Sequence, residues 1–389
     1  MREGWEYKKL GDVCGFKRGL TYSGKDEVVH SKNIVLRSNN VDLATFSLNF
    51  DELKYISDEI IISEDKKLKK GTLLMCMSNG SRQHLGKVAF VDKDYPYAFG
   101  GFMGLLCPIE DQIAPKYLYY YCCSPEYKSF LSHIGNGANI NNLKFSQLSE
   151  NPIPLPPLTI QQSIVSELDE INNLLSLKQK ELETYDKLAQ SLFYEMFGDP
   201  VENEKGWEVK KLGEVCVIIT GSTPSTSDGS NWDGHVNWVT PAELDIQLYY
   251  GETKRKITEK AAKSLTIMPK GTVLLSTRAP IGKLAITTVP MCCNQGFKNM
   301  ICKDELVNIF LYYYLLFTMD NIKAMGRGAT FKEVSKNAIN EYSVVLPPLS
   351  LQQLFATRIE AIEAQKANVK AAIEKLETLL AARMQYWFE

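Results

Sequence analysis

The sequence predicts an α/β (α+β) fold in which two tandem mixed α/β domains are each followed by a long helix. The two helices are expected to form an antiparallel coiled coil with pseudo-two-fold symmetry. Three observations lead to this prediction. Landmarks in the chain recur at an interval close to half its length, a heptad pattern follows each copy, and each copy contains short apolar runs bounded by glycine and proline.

The repeated landmarks define the domains. Gly4–Cys14 returns as Gly206–Cys216, and Leu155–Gln162 returns as Leu346–Gln353. Shorter matches keep their order between these: Lys70–Leu74 with Lys270–Leu274, Gly86-Lys87 with Gly282-Lys283, Gly101-Phe102 with Gly296-Phe297, and Gly137-Ala138 with Gly328-Ala329. Because this period is too long for a solenoid repeat, each copy should have its own core. We place the domains at residues 1–158 and 199–349 and the helices at residues 159–198 and 350–389.

Each long helix carries an apolar seam that steps by three and four residues, as in a coiled coil. The seam positions expected to contact the partner helix are Leu168, Ile171, Leu175, Leu182, Ile359, Ile362, Val369 and Ile373. The first helix leads from domain one to domain two and the second leads back, so the pair should be antiparallel. Two unrelated surface helices are the alternative. Lys178, Lys366 and Arg383 interrupt the seams, which either disfavours wrong registers or reflects side chains reaching solvent.

Short apolar runs within the domains predict strands, and tyrosine-rich segments predict buried helices. The strands are expected at Thr72–Met77, Lys87–Val91, Val273–Thr277 and Leu284–Thr288, and the helices at Pro115–Cys123 and Leu306–Thr318. We interpret their tyrosines as core and interface residues rather than as a platform for base stacking.

Composition limits the class of protein. The chain is 44% hydrophobic, with a net charge of −2, no apolar run long enough to cross a bilayer and no leader after Met1. Its nine cysteines form no C-x-x-C and its four histidines offer no zinc spacing. These features predict a cytoplasmic protein with reduced thiols, no metal site and no cofactor.

The landmarks resemble those of the specificity subunit of Type I restriction–modification systems. The resemblance lies in the Gly-Trp-(x)₃-Lys-Leu-Gly opening, the Leu-Pro-Pro-Leu-x-x-Gln-Gln entry to each helix and the Phe-Gly-Asp-Pro hinge at Phe197–Pro200. It implies two target-recognition domains, each reading one half of an asymmetric bipartite DNA site. It also implies that the partners are double-stranded DNA, two methyltransferase (modification) subunits and, in the full complex, restriction/translocase subunits, with no membrane.

Glycine-rich polar loops are the candidates for DNA contact, since their side chains reach phosphates and base edges. The candidate DNA-binding residues are Lys17, Arg18, Asn39, Asn40, Ser78, Asn79, Arg82, Asn136, Asn139, Ser222, Thr223, Thr277, Arg278, Asn294, Gln295, Arg327, Thr330 and Lys332. Any one loop could be an ordinary turn. Correspondence between the copies favours the binding interpretation, because Ser78–Arg82 and Thr277-Arg278 follow equivalent predicted strands.

No catalytic motif stands out. Asn151–Pro154 lacks the aromatic residue of an adenine methyltransferase loop, Gly80–Lys87 has the wrong spacing for a phosphate-binding loop, and Glu208–Lys210 lies in a repeated strand without a partner aspartate. We expect a non-catalytic recognition subunit. A self-sufficient tandem methyltransferase or nuclease, and a coiled-coil adaptor that does not bind DNA, remain the alternatives.

Overall fold

The computed structural model describes residues 5–134, 142–278, 280–327 and 332–389. The chain divides into two compact units, one of Met1–Gln179 with Ala371–Glu389 and the other of Lys180–Lys370. Each unit therefore combines one predicted domain with parts of both long helices.

The first unit begins with a short strand and helix and ends in the first long helix, which continues into the second unit. Its strands are β1 (Glu6–Lys9), β2 (Cys14–Arg18), β3 (Glu27–Val28), β4 (Asn33–Leu36), β5 (Lys54–Ile56), β6 (Leu73–Cys76), β7 (Val88–Phe90), β8 (Ala98–Phe99), β9 (Met103–Pro108) and β10 (Pro152–Leu155). Its helices are α1 (Leu10–Val13), α2 (Pro115–Cys123), α3 (Pro125–Ile134), α4 (Phe145–Ser149) and α5 (Leu158–Phe197).

The second unit repeats this order. Its strands are β11 (Glu208–Lys211), β12 (Cys216–Thr220), β13 (Trp232–Val239), β14 (Tyr249–Tyr250), β15 (Lys256–Ile257), β16 (Val273–Leu275), β17 (Leu284–Thr287), β18 (Cys292–Cys293), β19 (Lys298–Cys302) and β20 (Ser343–Leu346). Its helices are α6 (Leu212–Val215), α7 (Glu259–Ala262), α8 (Asn308–Phe317), α9 (Met319–Ala324), α10 (Lys336–Asn340) and α11 (Leu349–Phe388). The predicted strands and buried helices are present, shortened by a residue or two at their ends.

In the described residues, three sheets organise each unit. In the first, β2-β9-β6-β7 and β3-β5-β4-β8 form two sheets, and β1 pairs antiparallel with β10. In the second, β12-β19-β16-β17-β14 and β15-β13-β18 form the corresponding sheets, and β11 pairs antiparallel with β20. The repeated opening is thus a strand that pairs with the strand just before the long helix, which explains why both landmarks recur together.

The central strand of each unit is buried on both faces. In β6, Leu73 and Met75 pack in one core with Tyr117 of α2, whereas Leu74 packs in another with Phe99. The alternation of side chains along a strand produces this division. Strand β16 repeats it, since Val273 and Leu274 belong to different cores. Each main sheet therefore lies between a helical layer and a second sheet.

Tyrosines of the buried helices belong to the core, as predicted. Tyr117 and Tyr121 have no exposed surface. Their hydroxyls donate hydrogen bonds to the carbonyl oxygens of Pro154 at 2.6 Å and Pro152 at 2.9 Å. Because these acceptors lie in β10, α2 is tied to the strand that leads into α5.

The long helices pack against each other in an antiparallel direction in both units. In the first, Ile164 and Leu168 near the start of α5 share a core with Met384 and Phe388 at the end of α11. In the second, Phe193 near the end of α5 lies 5.6 Å from Phe355 near the start of α11, measured between ring centroids. The predicted direction of the pair is confirmed.

The predicted seam faces inward. Leu168, Ile171, Leu175, Ile359, Ile362 and Val369 are buried, and Leu182 and Ile373 are partly buried. Two of the cations that interrupt the seam are paired with acids of the other helix. Arg383 forms an ion pair with Glu167, and Lys366 Nζ lies 2.8 Å from Asp186 Oδ1. These pairs link specific positions of α5 and α11, which favours the register interpretation over simple snorkelling.

Several repeated glycines have backbone conformations that other residues rarely adopt. Gly71 and Gly271 have φ of +79° and +87°, and Gly86 and Gly282 have φ of +73° and +104°. The left-handed region is strained for residues with a Cβ atom. These glycines recur because the turns that flank β6 and β16 require them. In the described part of the chain, no helix is long and apolar enough to cross a membrane.

Candidate nucleic-acid interface

Loops at one edge of the first unit meet around a short glycine segment before β9. Leu20 N donates to Phe99 O at 2.7 Å, and Gly100 N donates to Leu36 O at 2.9 Å. A Cβ atom at Gly19 would collide with the carbonyl of Gly100. Close backbone approach therefore fixes the loops that follow β2, β4 and β8 against one another.

The loop after β6 joins the same edge. Met77 N and Ser78 N donate to Phe102 O at 2.9 and 3.1 Å, and Asn79 Nδ2 donates to Ser38 Oγ at 2.7 Å. Ser78 also forms a bridge with Asn142, which lies just before α4. The predicted loops around residues 18, 38 and 78 thus form one surface.

The second unit builds the same edge with the same backbone contacts. Asn294 N donates to Val239 O at 3.1 Å, and Thr277 N donates to Gly296 O at 2.8 Å. A Cβ atom at Gly221 would collide with the carbonyls that follow β18. Thr223 Oγ1 donates to Gln295 Oε1 at 2.6 Å, which joins the loops after β12 and β18 through side chains.

Matching backbone contacts align the two edges residue by residue. Phe102 O accepts from Met77 N as Gly296 O accepts from Thr277 N, so Phe102 corresponds to Gly296. The sequence match of Gly101-Phe102 with Gly296-Phe297 is therefore wrong by one residue. The sequence match paired Gly101 with Gly296 because both are glycines that precede a phenylalanine, but the two glycines occupy different positions in their loops.

Equivalent positions on the two edges carry different chemistry. Ser78 bridges Asn142 where Arg278 bridges Glu333. Arg18 pairs with Gly104 where Thr220 pairs with Lys298. The two units therefore share one backbone arrangement but place their charged side chains at different positions on it: Arg18 in the first unit, and Arg278, Lys298 and Glu333 in the second.

Glu333 organises the charges of the second edge. Arg278 Nε lies 2.9 Å from Glu333 Oε2, and Lys298 Nζ lies 3.3 Å from Glu333 Oε1. Burial raises the pKa of Glu333, but hydrogen bonds from Arg278 and Lys298 outweigh burial and lower its pKa overall. Arg327 exchanges backbone hydrogen bonds with Glu333 at 3.0 and 3.1 Å. The ionised carboxylate of Glu333 thus positions Arg278 and Lys298, and backbone hydrogen bonds hold Arg327 beside it.

The described candidates for DNA contact are exposed, partly buried or, in the case of Asn40 and Thr277, buried. Lys17, Arg18, Asn39, Arg82, Ser222, Thr223, Arg278, Gln295, Arg327 and Lys332 are exposed, and Ser78, Asn79 and Asn294 are partly buried. Asn136, Asn139 and Thr330 lie outside the described residues, as do Gly137-Ala138 and Gly328-Ala329. Arg82 is set apart from the shared surface, because it lines a separate cavity of about 790 Å³ with Phe46 and Lys128.

Asn40 and Thr277 require correction, because both are fully buried. Asn40 Oδ1 accepts from Arg37 N at 2.8 Å, and its Nδ2 donates to the carbonyl oxygens of Asn49 and Glu52 at 2.9 and 3.0 Å. Thr277 Oγ1 donates to Gly296 O at 3.3 Å. Their polar groups hold turns together and do not reach the surface.

Sequence reasoning overlooked Lys298, Glu333 and Phe102. Lys298 is 4% exposed in a strand whose other residues are largely buried, and a buried lysine signals an acidic partner. Glu333 is that partner. Phe102 is 73% exposed. The sequence match had aligned it with the buried Phe297, so its exposure became evident only after the backbone contacts aligned it with Gly296.

Other kinds of site find little support in the described residues. They contain no cluster of three or more histidine, cysteine or acidic side chains able to hold a metal ion. The cysteines are free, and burial raises the pKa of Cys14 to about 12, with a smaller contribution from Cys107. A thiol with so high a pKa stays protonated and is a poor nucleophile.

The fold thus contains two copies of one α/β domain, each with an equivalent loop edge, and two long antiparallel helices. A sequence profile described as the Type I restriction modification DNA specificity domain matches residues 2–184 and 204–378. The chain belongs to this family and carries its domain twice. It is a specificity subunit, the non-catalytic DNA-recognition component of a Type I restriction–modification complex.

Similar proteins include two from Methanocaldococcus jannaschii. The putative type I restriction enzyme MjaX specificity subunit is 27% identical, over 97% of this chain and 93% of that protein. The type I restriction enzyme MjaIX specificity subunit is 39% identical over 190 residues, which cover 47% of this chain and 44% of that protein. The MjaX relationship therefore extends over both domains, whereas the MjaIX alignment spans under half of each protein.

Solved structures show the same fold. A structure described as the structural basis underlying complex assembly and conformational transition of the type I R-M system matches with a TM-score of 0.62 at 19% identity, over 99% of this chain and 97% of that one. The Type I restriction–modification S subunit from M. genitalium matches with a TM-score of 0.58 at 14% identity, over 99% of this chain and 96% of that one.

Proposed function

We propose that this chain recognises an asymmetric, bipartite site in double-stranded DNA, with each domain reading one half. On this site it positions two methyltransferase subunits and, in the full complex, restriction/translocase subunits. The observation that carries the proposal is the repeated loop edge. One backbone frame occurs twice, yet Ser78 and Asn142 occupy the positions that Arg278 and Glu333 take in the second copy.

Different side chains on one frame favour different half-sites. Arginine pairs best with the acceptor edge of guanine, while serine and asparagine make shorter, neutral contacts. Arg278 retains 47% exposure of its side chain despite its ion pair, so its guanidinium has donors facing outward. We therefore expect the second half-site to contain a guanine read by Arg278.

Some of the exposed residues are suited to contact phosphates, and others are suited to contact either bases or phosphates. Lys17, Lys332 and Arg327 lie at the ends of strands or bridges, with exposed side chains suited to phosphates. The residues kept for base or phosphate contact are Arg18, Asn39, Ser78, Asn79, Arg82, Ser222, Thr223, Arg278, Asn294 and Gln295, together with Asn136, Asn139 and Thr330 outside the described residues. Asn40 and Thr277 are excluded by burial.

Methylome sequencing tests the proposal directly. A host that expresses the chain with its modification subunits should gain methylation at one interrupted, non-palindromic motif, and a host lacking only this chain should lose it. A palindromic motif, or two unrelated motifs, would contradict readout of one half by each domain. Methylation that persists without the chain would assign recognition to another subunit and would favour an adaptor role.

A further inference from the structure

Phe102 is an exposed aromatic residue held by a rigid backbone. Its side chain is 73% exposed, although its carbonyl oxygen accepts hydrogen bonds from Met77 N at 2.9 Å and Ser78 N at 3.1 Å. The ring follows Gly100 and Gly101 at the centre of the loop edge. The fold therefore fixes the backbone at Phe102 while leaving the ring in solvent.

The fold itself does not require an aromatic ring at this position. Gly296, the counterpart of Phe102, provides the same carbonyl contact to Thr277 N at 2.8 Å without any side chain. The next residue in each copy, Met103 or Phe297, is the one that enters the core. An exposed ring that does not pack in the core is suited to an external contact.

A cavity of about 520 Å³ lies beside the ring, among the loops of the first edge. The residues that line it include Tyr22, Arg37, Asn79, Gly100, Gly101 and Phe102. Cavities of this size accommodate small organic molecules, so a single nucleobase fits within it.

Arg37 supplies a basic group to the lining of this cavity. The residue is partly exposed, and a guanidinium group carries N–H donors in one plane, which suit the acceptor atoms of a base. An aromatic face, a base-sized space and a basic group therefore meet at one place on the loop edge.

We propose that Phe102 and this cavity form a pocket for one nucleobase of the first half-site, which leaves the base stack on binding. The base packs on the Phe102 ring and accepts a hydrogen bond from Arg37. This inference rests on the proposed recognition of DNA by the first domain. The second domain has no such pocket wall at Gly296, so the two domains deform their half-sites differently.

Base unstacking can be followed with 2-aminopurine, whose fluorescence rises when it leaves the stack. The probe is a duplex carrying the methylated motif, with 2-aminopurine placed in turn at each position of the first half-site. It is bound by the assembled complex of this chain with its modification subunits. Methyltransferases extrude the base that they modify, so the modified position should brighten irrespective of Phe102. One further position of the first half-site should also brighten on binding. Phe102→Ala should abolish that further increase alone and weaken binding about tenfold.

Matched variants separate stacking from other effects. Phe102→Trp keeps an aromatic face and should retain the signal, whereas Phe102→Leu keeps apolar bulk and should lose most of it. Ile61→Ala removes a side chain that is 93% exposed and does not line the cavity, and it should behave like the unaltered protein. Arg37→Lys should relax the preference for one base at the brightened position, measured as methylation of altered sites.

The outcomes are distinct. Tight, specific binding with no brightening in the first half-site other than at the modified base would overturn the pocket and leave DNA recognition standing. Absence of any site-specific binding would overturn both proposals. If Phe102→Ala weakens assembly with the modification subunits but leaves the fluorescence unchanged, Phe102 contacts protein and the pocket is wrong.

Discussion

Gln161 holds the backbone of Ala114, the residue that precedes α2. Its side-chain Oε1 accepts a hydrogen bond from Ala114 N at 2.8 Å, and its Nε2 donates to Pro156 O at 2.8 Å and Gln112 O at 3.1 Å. Gln161 is fully buried. One amide thus joins the first turn of α5 to the start of the tyrosine-rich helix.

The second copy repeats this arrangement atom for atom. Gln352 Oε1 accepts from Val307 N at 2.9 Å, and its Nε2 donates to Pro347 O at 2.8 Å and Glu305 O at 3.2 Å. The first glutamine of the Leu-Pro-Pro-Leu-x-x-Gln-Gln motif therefore has a structural role. The carbonyl oxygen of the first proline in each motif accepts a hydrogen bond from this glutamine, whereas the carbonyl oxygen of the second accepts from backbone N–H groups of the helix that follows.

Replacing Gln161 with Ala should destabilise the first unit. The change leaves the partly buried Ala114 N–H without its partner, and loss of such a hydrogen bond costs about 1 kcal/mol. Hydrogen exchange followed by mass spectrometry should show faster exchange around Ala114 and unchanged exchange around Val307. Gln162→Ala is the matched control, because Gln162 is the exposed second glutamine of the same motif. Equal exchange in both variants would show that the buried amide contributes little.

The ion pair of Glu167 and Arg383 should make the helix pair sensitive to acid. Hydrogen bonding from Arg383, aided by Trp387, holds the pKa of Glu167 below its ordinary value of 4.5. A carboxylate whose folded pKa is depressed stabilises the folded state above its unfolded pKa, and that stabilisation is lost as pH falls through the folded pKa.

Thermal unfolding of the chain and of Glu167→Gln between pH 7 and pH 3 measures this effect. The unaltered protein should have the higher Tm at neutral pH, and the difference should shrink below pH 4.5, where the unfolded carboxylate begins to bind a proton. Glu170→Gln removes an exposed carboxylate from the same helix and serves as the control for the loss of one charge. A Tm difference that stays constant down to pH 3 would mean that the pair does not carry the effect.

The sequence predicted much of this architecture, since its strongest signals are periodic or repeated. The heptad seam predicted two long helices, and the structure contains them as Leu158–Phe197 and Leu349–Phe388, because burial of a coiled-coil stripe leaves few alternatives. The residues exposed on the loop edges were harder to predict from the sequence. Asn40 and Arg327 both look like polar loop residues in the sequence, yet one is buried and the other exposed. That difference depends on long-range contacts, such as the bonds of Asn40 to Asn49 and Glu52.

Exchange of the first domain should change one half of the methylated motif. The boundary matters, because β1 pairs with β10 along Glu6–Lys9 and Pro152–Leu155. Replacing residues 1–157 with those of another family member moves both strands together and preserves their ladder. Methylome sequencing should then show a new first half-site beside an unchanged second one. Alteration of both halves would refute independent readout, and a cut at Asn151, which separates the paired strands, should reduce folded yield.

Arg278 and Arg327 should contribute to DNA binding through the second edge. Both are exposed and both pair through the backbone with Glu333. Loss of an arginine that reads guanine costs about 1–3 kcal/mol and relaxes preference at that base, whereas loss of a phosphate contact weakens binding to all sequences. The double variant Arg278→Ala, Arg327→Ala should therefore bind more weakly while still assembling with the modification subunits.

Salt-controlled titrations separate these two contributions. Each lost phosphate contact should reduce the slope of log affinity against log salt by about 0.9, and a lost base contact should leave the slope unchanged. Glu333→Gln provides a complementary test, because it releases Arg278 and Lys298 from their common carboxylate. It should increase affinity for non-specific DNA, since one negative charge is removed, and should lower discrimination between sites, since Arg278 loses its fixed position. If the double arginine variant matches the unaltered complex in both affinity and slope, these residues do not contact DNA.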